Sequence, residues 1–334
     1  MTSTQRSRAT RWFAAGSVSL VATFGLSLAV GAVNIPIAEV LTWATGGLPD
    51  ESLSGRVLSG VRLPRSLAAV AVGAMLAVAG TSLQGIQRTP VVDAHLMGIS
   101  GASGLGVAIG YAIAPTGASS QFAVILGALA GAGYGLVTRR FAAATSGSIV
   151  GVLVGIGAGL ALMAWTGLFV LLVDSANVPT LSFFIFGSLS GVSWPLVAAA
   201  APLVALSIAL LWWLGPGLDL LALGERASIH LGFDTHRRVP LALAAIGVGV
   251  GASVALGGVI GFVGLIVPLV IRPMLGSISR ITIPASAIAG AIVVLVFDTV
   301  ARTLAAPIEI PIGLLTAAIG GPVLVWLVRR ETVR

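Results

Sequence analysis

The chain has 334 residues, 57% of them hydrophobic and only 9% charged, whereas an ordinary soluble domain carries about 25% charged residues. So much apolar surface excludes a water-soluble globule; the lack of cysteine excludes disulfides and thiolate sites, and the lack of lysine excludes a standard P-loop, whose lysine sits on the nucleotide phosphates. All 18 basic residues are arginines, set in short clusters between long apolar runs, so the net charge of +7 reads as membrane topology rather than nucleic-acid binding.

A crossing helix needs about 20 apolar residues to span ~30 Å of hydrocarbon, and that ruler divides the sequence into ten. The first covers roughly residues 12–33. Arginines precede it as in a signal peptide, but its apolar run is longer than the usual 7 to roughly 15 residues, so an uncleaved helix is expected. A polar segment with Glu39, Asp50, Glu51 and Arg56 follows, and the second crossing covers 66–83. The stretch 96–138 holds the third and fourth, divided near Pro115-Thr116-Gly117. The fifth covers 149–173 and the sixth 195–214, with a mixed segment between them that suits a short surface helix. The seventh and eighth share 239–271, divided near Gly257-Gly258; the ninth covers 281–297 and the tenth 310–328.

An even count returns both termini to one side. With the N-terminus cytoplasmic, Arg6, Arg8, Arg11, Arg88, Arg139, Arg140, Arg226, Arg237, Arg238, Arg272, Arg280, Arg329, Arg330 and Arg334 all lie inside, which is 14 of the 18. Arg56, Arg62, Arg65 and Arg302 gather instead at the outer mouths of crossings and need another cause. Asp298 is the one acid expected close to hydrocarbon, four residues before Arg302 and placed for an ion pair on one helix face. His95, His230 and His236 are expected in cytoplasmic connections. The four-residue glycine spacings at Gly151, Gly155 and Gly159, and at Gly247 and Gly251, suit close helix packing.

The longest hydrophilic interior segment is 219–238, DLLALGERASIHLGFDTHRR. It is too polar for lipid, and its Leu and Ala alternate with Glu225, Arg226 and His230 up to a stop at Gly232, as in a short amphipathic helix capped by glycine. Such an element either docks a soluble partner or rests on lipid headgroups.

The string ALGERASIHLG resembles the cytoplasmic coupling segment of the FecCD-type permeases, bacterial importers of iron-siderophore complexes, haem and cobalamin. Further blocks agree in order: RLPRSLAAVAVGAMLAVAGTSLQG from Arg62, MGISGASG from Met97, GGVIGFVGLIVP ending at Pro268, and DTVARTLAAPIEIPIGLLTAAIGGPVLVWL from Asp298. The resemblance covers about residues 57–330. It implies an all-α polytopic protein of about ten transmembrane helices with type II ABC importer permease architecture, a single transmembrane domain spanning 1–334. It also implies a second permease copy, identical or related, two ATPase subunits that use ATP and magnesium, and an extracytoplasmic binding protein; this chain itself binds no cofactor. By the same resemblance Arg62, Arg65 and Arg302 receive acidic side chains of the docked binding protein, whose rim charges steer encounter. Gly224, Glu225, Arg226, Leu231 and Gly232 would seat in a groove of the ATPase. Thr145, Ser146 and Ser148 fall where the family narrows its path, although small polar residues at helix starts also serve as N-caps. The sequence departs from the family pattern in reading Pro268-Leu269 where many members have proline and histidine, and TPVVDA for NPLADP, which leaves Asp93 in place.

A transporter driven by ions would place acids, histidines or broken helices at mid-membrane, and a membrane-embedded enzyme would need paired carboxylates or a metal-ligand cluster. The crossings read as nearly bare of both. The expected cargo is an iron-siderophore complex, with haem and cobalamin as alternatives.

Overall fold

The computed structural model describes residues 3–31, 34–47, 52–114, 117–145, 149–173, 179, 181–306 and 308–332. These residues are helical almost throughout, as expected where lipid offers the backbone no hydrogen-bond partner. The helices are α1 (Ser3–Ala29), α2 (Ile37–Ala44), α3 (Leu53–Val57), α4 (Leu63–Gln87), α5 (Ile99–Ile113), α6 (Ser119–Thr145), α7 (Ile149–Leu172), α8 (Leu181–Phe186), α9 (Trp194–Leu220), α10 (Glu225–His230), α11 (Thr235–Gly257), α12 (Val263–Leu275), α13 (Ser279–Ala301) and α14 (Ile312–Thr332). The ten longest, α1, α4, α5, α6, α7, α9, α11, α12, α13 and α14, match the ten expected crossings in order. Seven of the described helical spans are long and apolar enough to cross a membrane unaided.

The polar segment after α1 contains a short helix, α2, that the hydropathy ruler did not mark. The second crossing also starts earlier than expected. Ser52 caps α3 by accepting the Gly55 N–H at 3.0 Å, and a π-helical turn, Leu58–Arg62, joins α3 to α4 without a break. That turn brings Arg62 and Arg65 to the start of the most buried helix of the bundle.

Glycines set the spacing of that interior. A methyl group at Gly73 would collide with the Gly290 carbonyl, one at Gly80 with Gly264, and methyls at Gly247 and Gly251 with the backbone at Gly131 and Gly127. α4 therefore touches α13 and α12 backbone to backbone, and α11 meets α6 in the same way. Apolar burial gives little net driving force between helices in lipid, so such close packing is what joins them. Gly159 likewise lies against Gly98 and Gly155 against Met97, so the spacings at Gly155 and Gly159, and at Gly247 and Gly251, serve close packing.

Two crossings are short. α5 has 15 residues and α12 has 13, about 22 Å and 20 Å of helix, and each starts from non-helical backbone inside the bundle. This corrects two expectations. His95 is not in a solvated connection, because its ring packs on Gly261 within the protein, and Asp93 joins Asp298 as a buried acid. His230 and His236 are exposed, as expected of loop residues.

Candidate functional sites at the two ends of the bundle

At one end, α9 runs through a 3-10 turn, Leu221–Leu223, into α10. Gly224 and Gly232 bracket α10 with φ of 102° and 86°, left-handed values that residues with a Cβ rarely adopt. Their place in the pattern thus has a local cause. Ser228 is buried and donates its hydroxyl to the carbonyls of Leu220 at 2.9 Å and Gly224 at 2.6 Å, folding α10 back on the end of α9. Thr235 donates to Glu225 at 3.3 Å, joining the start of α10 to the start of α11. Phe233 is buried against Gly217, where any side chain would strike its ring, and the Arg238 guanidinium stands 5.5 Å from that ring and 5.7 Å from the ring of Trp213.

These contacts hold the segment firmly while its outer face stays open. Glu225 and Arg226 are exposed, and between the charges Leu223, Ile229 and Leu231 leave 64%, 45% and 60% of their surfaces uncovered. Exposed leucine and isoleucine framed by charge, on a rigid support, have the character of a surface on which a soluble partner can dock. All five residues expected to meet a partner, Gly224, Glu225, Arg226, Leu231 and Gly232, lie on this one turn of chain.

Just before it, Asp219 does something the sequence did not signal. Its carboxylate accepts the backbone N–H of Ser279 at 3.0 Å and the Ser279 hydroxyl as well. α13 has no capping side chain of its own, so α9 supplies the acceptor for its first turn.

At the opposite end three arginines are buried, two of them on the last turn of α1. Arg62 donates to the carbonyls of Leu28 and Ala29, the latter at 2.8 Å, and Arg302 donates to the Ser27 carbonyl. Those carbonyls end a helix that has no basic residue in its last turn, and the guanidiniums satisfy them from other helices. Arg65 forks between two carboxylates, Asp298 at 2.9 Å and Glu309 at 3.0 Å. The expected pair within α13 exists in looser form, Arg302 to Asp298 at 3.6 Å. Burial pushes the Arg302 guanidinium down to about 10 against the pull of Asp298, so it stays charged near neutrality. All three arginines are about 5% exposed, so they are not open rim charges in this structure, and the bonds just described turn them toward the interior. Arg56 is exposed, and Glu309 is the accessible member of the cluster. Beside it an open hollow of about 460 Å³ is lined by Phe183, Ser188, Ser190, Gly191, Glu309 and Pro311 among others. Ser146 and Ser148 lie outside the described residues, and Thr145 is placed only as the last residue of α6.

Among the described residues no cluster of three or more metal-ligating side chains occurs. The chain matches the family model described as the FecCD transport family over residues 19–330. It is 36% identical over 318 residues to the vitamin B12 import system permease protein BtuC of Vibrio cholerae, covering 92% of each chain. It is 32% identical to the hemin transport system permease protein HmuU of Yersinia pestis, covering 91% of this chain and 92% of the relative. It is 33% identical to the Fe(3+)-citrate import system permease protein YfmD of Bacillus subtilis, covering 92% and 90%. Its fold matches a solved metal-chelate type ABC transporter in an inward-facing conformation with a TM-score of 0.79 and 29% identity, covering 96% of this chain and 99% of the other.

Proposed function

We propose, from the premise that the chain belongs to the FecCD transport family and is the membrane-spanning permease of an ABC importer, that it passes an iron-siderophore complex across the bacterial cytoplasmic membrane. The observation that carries the mechanism is the docking face at residues 223–231, rigidly held yet uncovered. A separate ATPase subunit grips that face, binds ATP and magnesium itself, and supplies work that this lysine-free chain cannot extract from nucleotide. The working unit is a pair of permease chains, identical or related, with two ATPases and one extracytoplasmic binding protein. Both termini and the segment around Glu225 then face the cytoplasm, where 14 of 18 arginines fall. The whole chain acts as one transmembrane domain.

The binding protein docks at the arginine end. Arg62 and Arg302 are committed to α1, so an acidic side chain arriving from outside reaches Arg65 by taking the place of Glu309. Relatives that import vitamin B12 and hemin keep cobalamin and haem as the alternative cargoes. The test is reconstitution into proteoliposomes with the cognate ATPase and binding protein, offering ferric hydroxamate, ferric citrate, haemin and cobalamin in turn. ATP-dependent accumulation of a ferric chelate is the expected result. Accumulation driven by an ion gradient without the ATPase would overturn the permease reading, and preference for haemin or cobalamin would overturn the cargo alone.

A further inference from the structure

The uncovered side of α9 ends in two tryptophans. Ala198, Pro202, Leu206 and Ala209 are exposed at helical spacing along it, and Trp212 and Trp213 continue the stripe with 52% and 64% of their surfaces uncovered. Trp194, also exposed, starts the same helix 19 positions before Trp213. At 1.5 Å per residue that is about 28 Å, close to the thickness of the hydrocarbon, so these tryptophans mark its two boundaries, where indole rings gather. Both ends are fastened in the same manner. The Trp194 indole N–H donates to the Ser59 carbonyl at 2.8 Å, and that of Trp212 to the Arg280 carbonyl at 3.2 Å.

At the α10 end each tryptophan has an arginine beside it. Arg238, in the first turn of α11, holds its guanidinium over the Trp213 ring, and three positions further on Leu241 is exposed, so this face of α11 turns to the same apolar surroundings as the stripe on α9. Arg280, the second residue of α13, is exposed while its carbonyl holds Trp212. The acids nearby are engaged elsewhere: Asp234 pairs with Arg237 at 3.5 Å, and Asp219 accepts from Ser279 at 3.0 Å. Among the described residues no carboxylate pairs with Arg238 or Arg280. Two uncompensated cations therefore flank two exposed indoles at the level where hydrocarbon gives way to headgroups.

We propose that Arg238, Arg280, Trp212 and Trp213 form a binding site for an anionic phospholipid, its headgroup held by the two arginines and its acyl chains laid along the stripe on α9. A basic pocket between crossings selects a lipid of net negative charge over a zwitterionic one, whose own cation offsets its phosphate. Stacking on Trp213 and Phe233 orients the Arg238 guanidinium before any lipid arrives, which lowers the ordering cost of binding. The site goes beyond the permease reading and depends on it only for which leaflet supplies the lipid.

The test is native mass spectrometry of the full-length chain in detergent, titrated with dioleoylphosphatidylglycerol or dioleoylphosphatidylcholine. The first phosphatidylglycerol should bind more tightly than the first phosphatidylcholine by about tenfold or more, and Arg238→Gln and Arg280→Gln should each lower that preference by about fivefold. Arg280→Gln keeps the carbonyl that Trp212 uses, so it reads the site even if Arg238→Gln fails to fold. Arg56→Gln, an exposed arginine at the opposite end, should leave the preference unchanged. Equal affinity for the two lipids, or a preference that survives Arg280→Gln intact, would overturn the site. Excess inorganic phosphate should not displace the lipid; displacement would make this a free-anion site and overturn the lipid assignment. The preference should also persist with the ATPase bound, and its loss would put the arginines in the ATPase contact instead. Lipid binding needs neither cargo nor ATP, so absence of ATP-driven uptake would sink the permease reading and leave the lipid site standing.

Discussion

Arg65 and Asp298 lie 233 positions apart in sequence and meet at 2.9 Å, with side chains only 7% and 1% exposed. Asp298 also faces Arg302, so a single carboxylate balances two buried guanidiniums. Removing one partner from such a cluster strands charge where water cannot reach it, at a typical cost of about 3–5 kcal/mol. Asp298→Ala should therefore lower the thermal unfolding midpoint of the purified protein sharply. Arg65→Met combined with Asp298→Leu, which removes both members of the closest pair, should cost less than Asp298→Ala alone. The converse order, measured by unfolding in detergent, would mean that the pair is not the stabilising element.

The ten crossings were legible because each needs a long apolar run, and length and polarity are properties of composition along the chain. Which way an arginine points is not. Arg62, Arg65 and Arg302 looked like rim charges because they interrupt the positive-inside pattern, yet the π-helical turn before α4 rotates the first two inward. Residues 88–98 looked like a solvated connection because the segment is short and holds Arg88, Asp93 and His95. Arg88 and Pro90 are indeed exposed, but Val92, Asp93 and Ala94 are buried and Gly98 lies against Gly159, a tertiary fact that no window on the sequence contains. The segment 219–238 was read correctly in outline because amphipathic alternation and bracketing glycines are local. Asp219 was missed as a cap because its partner, Ser279, lies 60 residues away.

The docking face makes a sharp prediction. The Leu231 side chain is exposed, and only its backbone N–H, which a substitution leaves in place, bonds within α10, so Leu231→Asp should change stability by no more than about 0.5 kcal/mol. It should nonetheless abolish co-purification with the ATPase, because a charge set into the apolar centre of an interface lacks a partner. Ser228→Ala, which breaks the support beneath, should lower stability as well as ATPase binding. If Leu231→Asp retains the ATPase, the face at 223–231 is not the contact.

Asp219 links the same segment to α13. Among the described residues no other side chain accepts from the first turn of that helix, so Asp219→Ala should cost about 1–2 kcal/mol, the usual loss for an N-cap. Asp219→Asn retains an acceptor and should lose less. Uptake by reconstituted protein should fall in the same order, Ala below Asn below parent. Matching uptake in all three would show that the joint is dispensable for transport.

Glycine packing can be tested against an internal control in one helix. Gly80 leaves no room for a methyl group beside the Gly264 carbonyl, whereas nothing stands near the corresponding position at Gly85. Gly80→Ala should force α4 and α12 apart and reduce the yield of folded protein in membranes. Gly85→Ala should be neutral or slightly stabilising, since alanine favours helix over glycine by about 1 kcal/mol. Equal yields would mean that α12 can shift freely along α4.

The last prediction concerns Glu309, the exposed carboxylate on the Arg65 fork. If an acidic group of the binding protein reaches Arg65 by displacing Glu309, then Glu309 competes with the partner, and removing its charge should strengthen docking rather than weaken it. Glu309→Gln loses one solvent-facing ion pair, worth at most about 1 kcal/mol to the fold, because Asp298 still holds the other side of Arg65. The Kd for the binding protein, measured by interferometry on nanodiscs, should fall, and the gain should shrink as salt screens the charges. Arg65→Gln should do the opposite, removing the attraction and unpairing Asp298 at once, so its weaker docking should come with a lower unfolding midpoint. A Glu309→Gln variant that binds more weakly at every salt concentration would place Glu309 itself in the contact, with a basic partner group, and would reverse the sign of the charge assigned to this face.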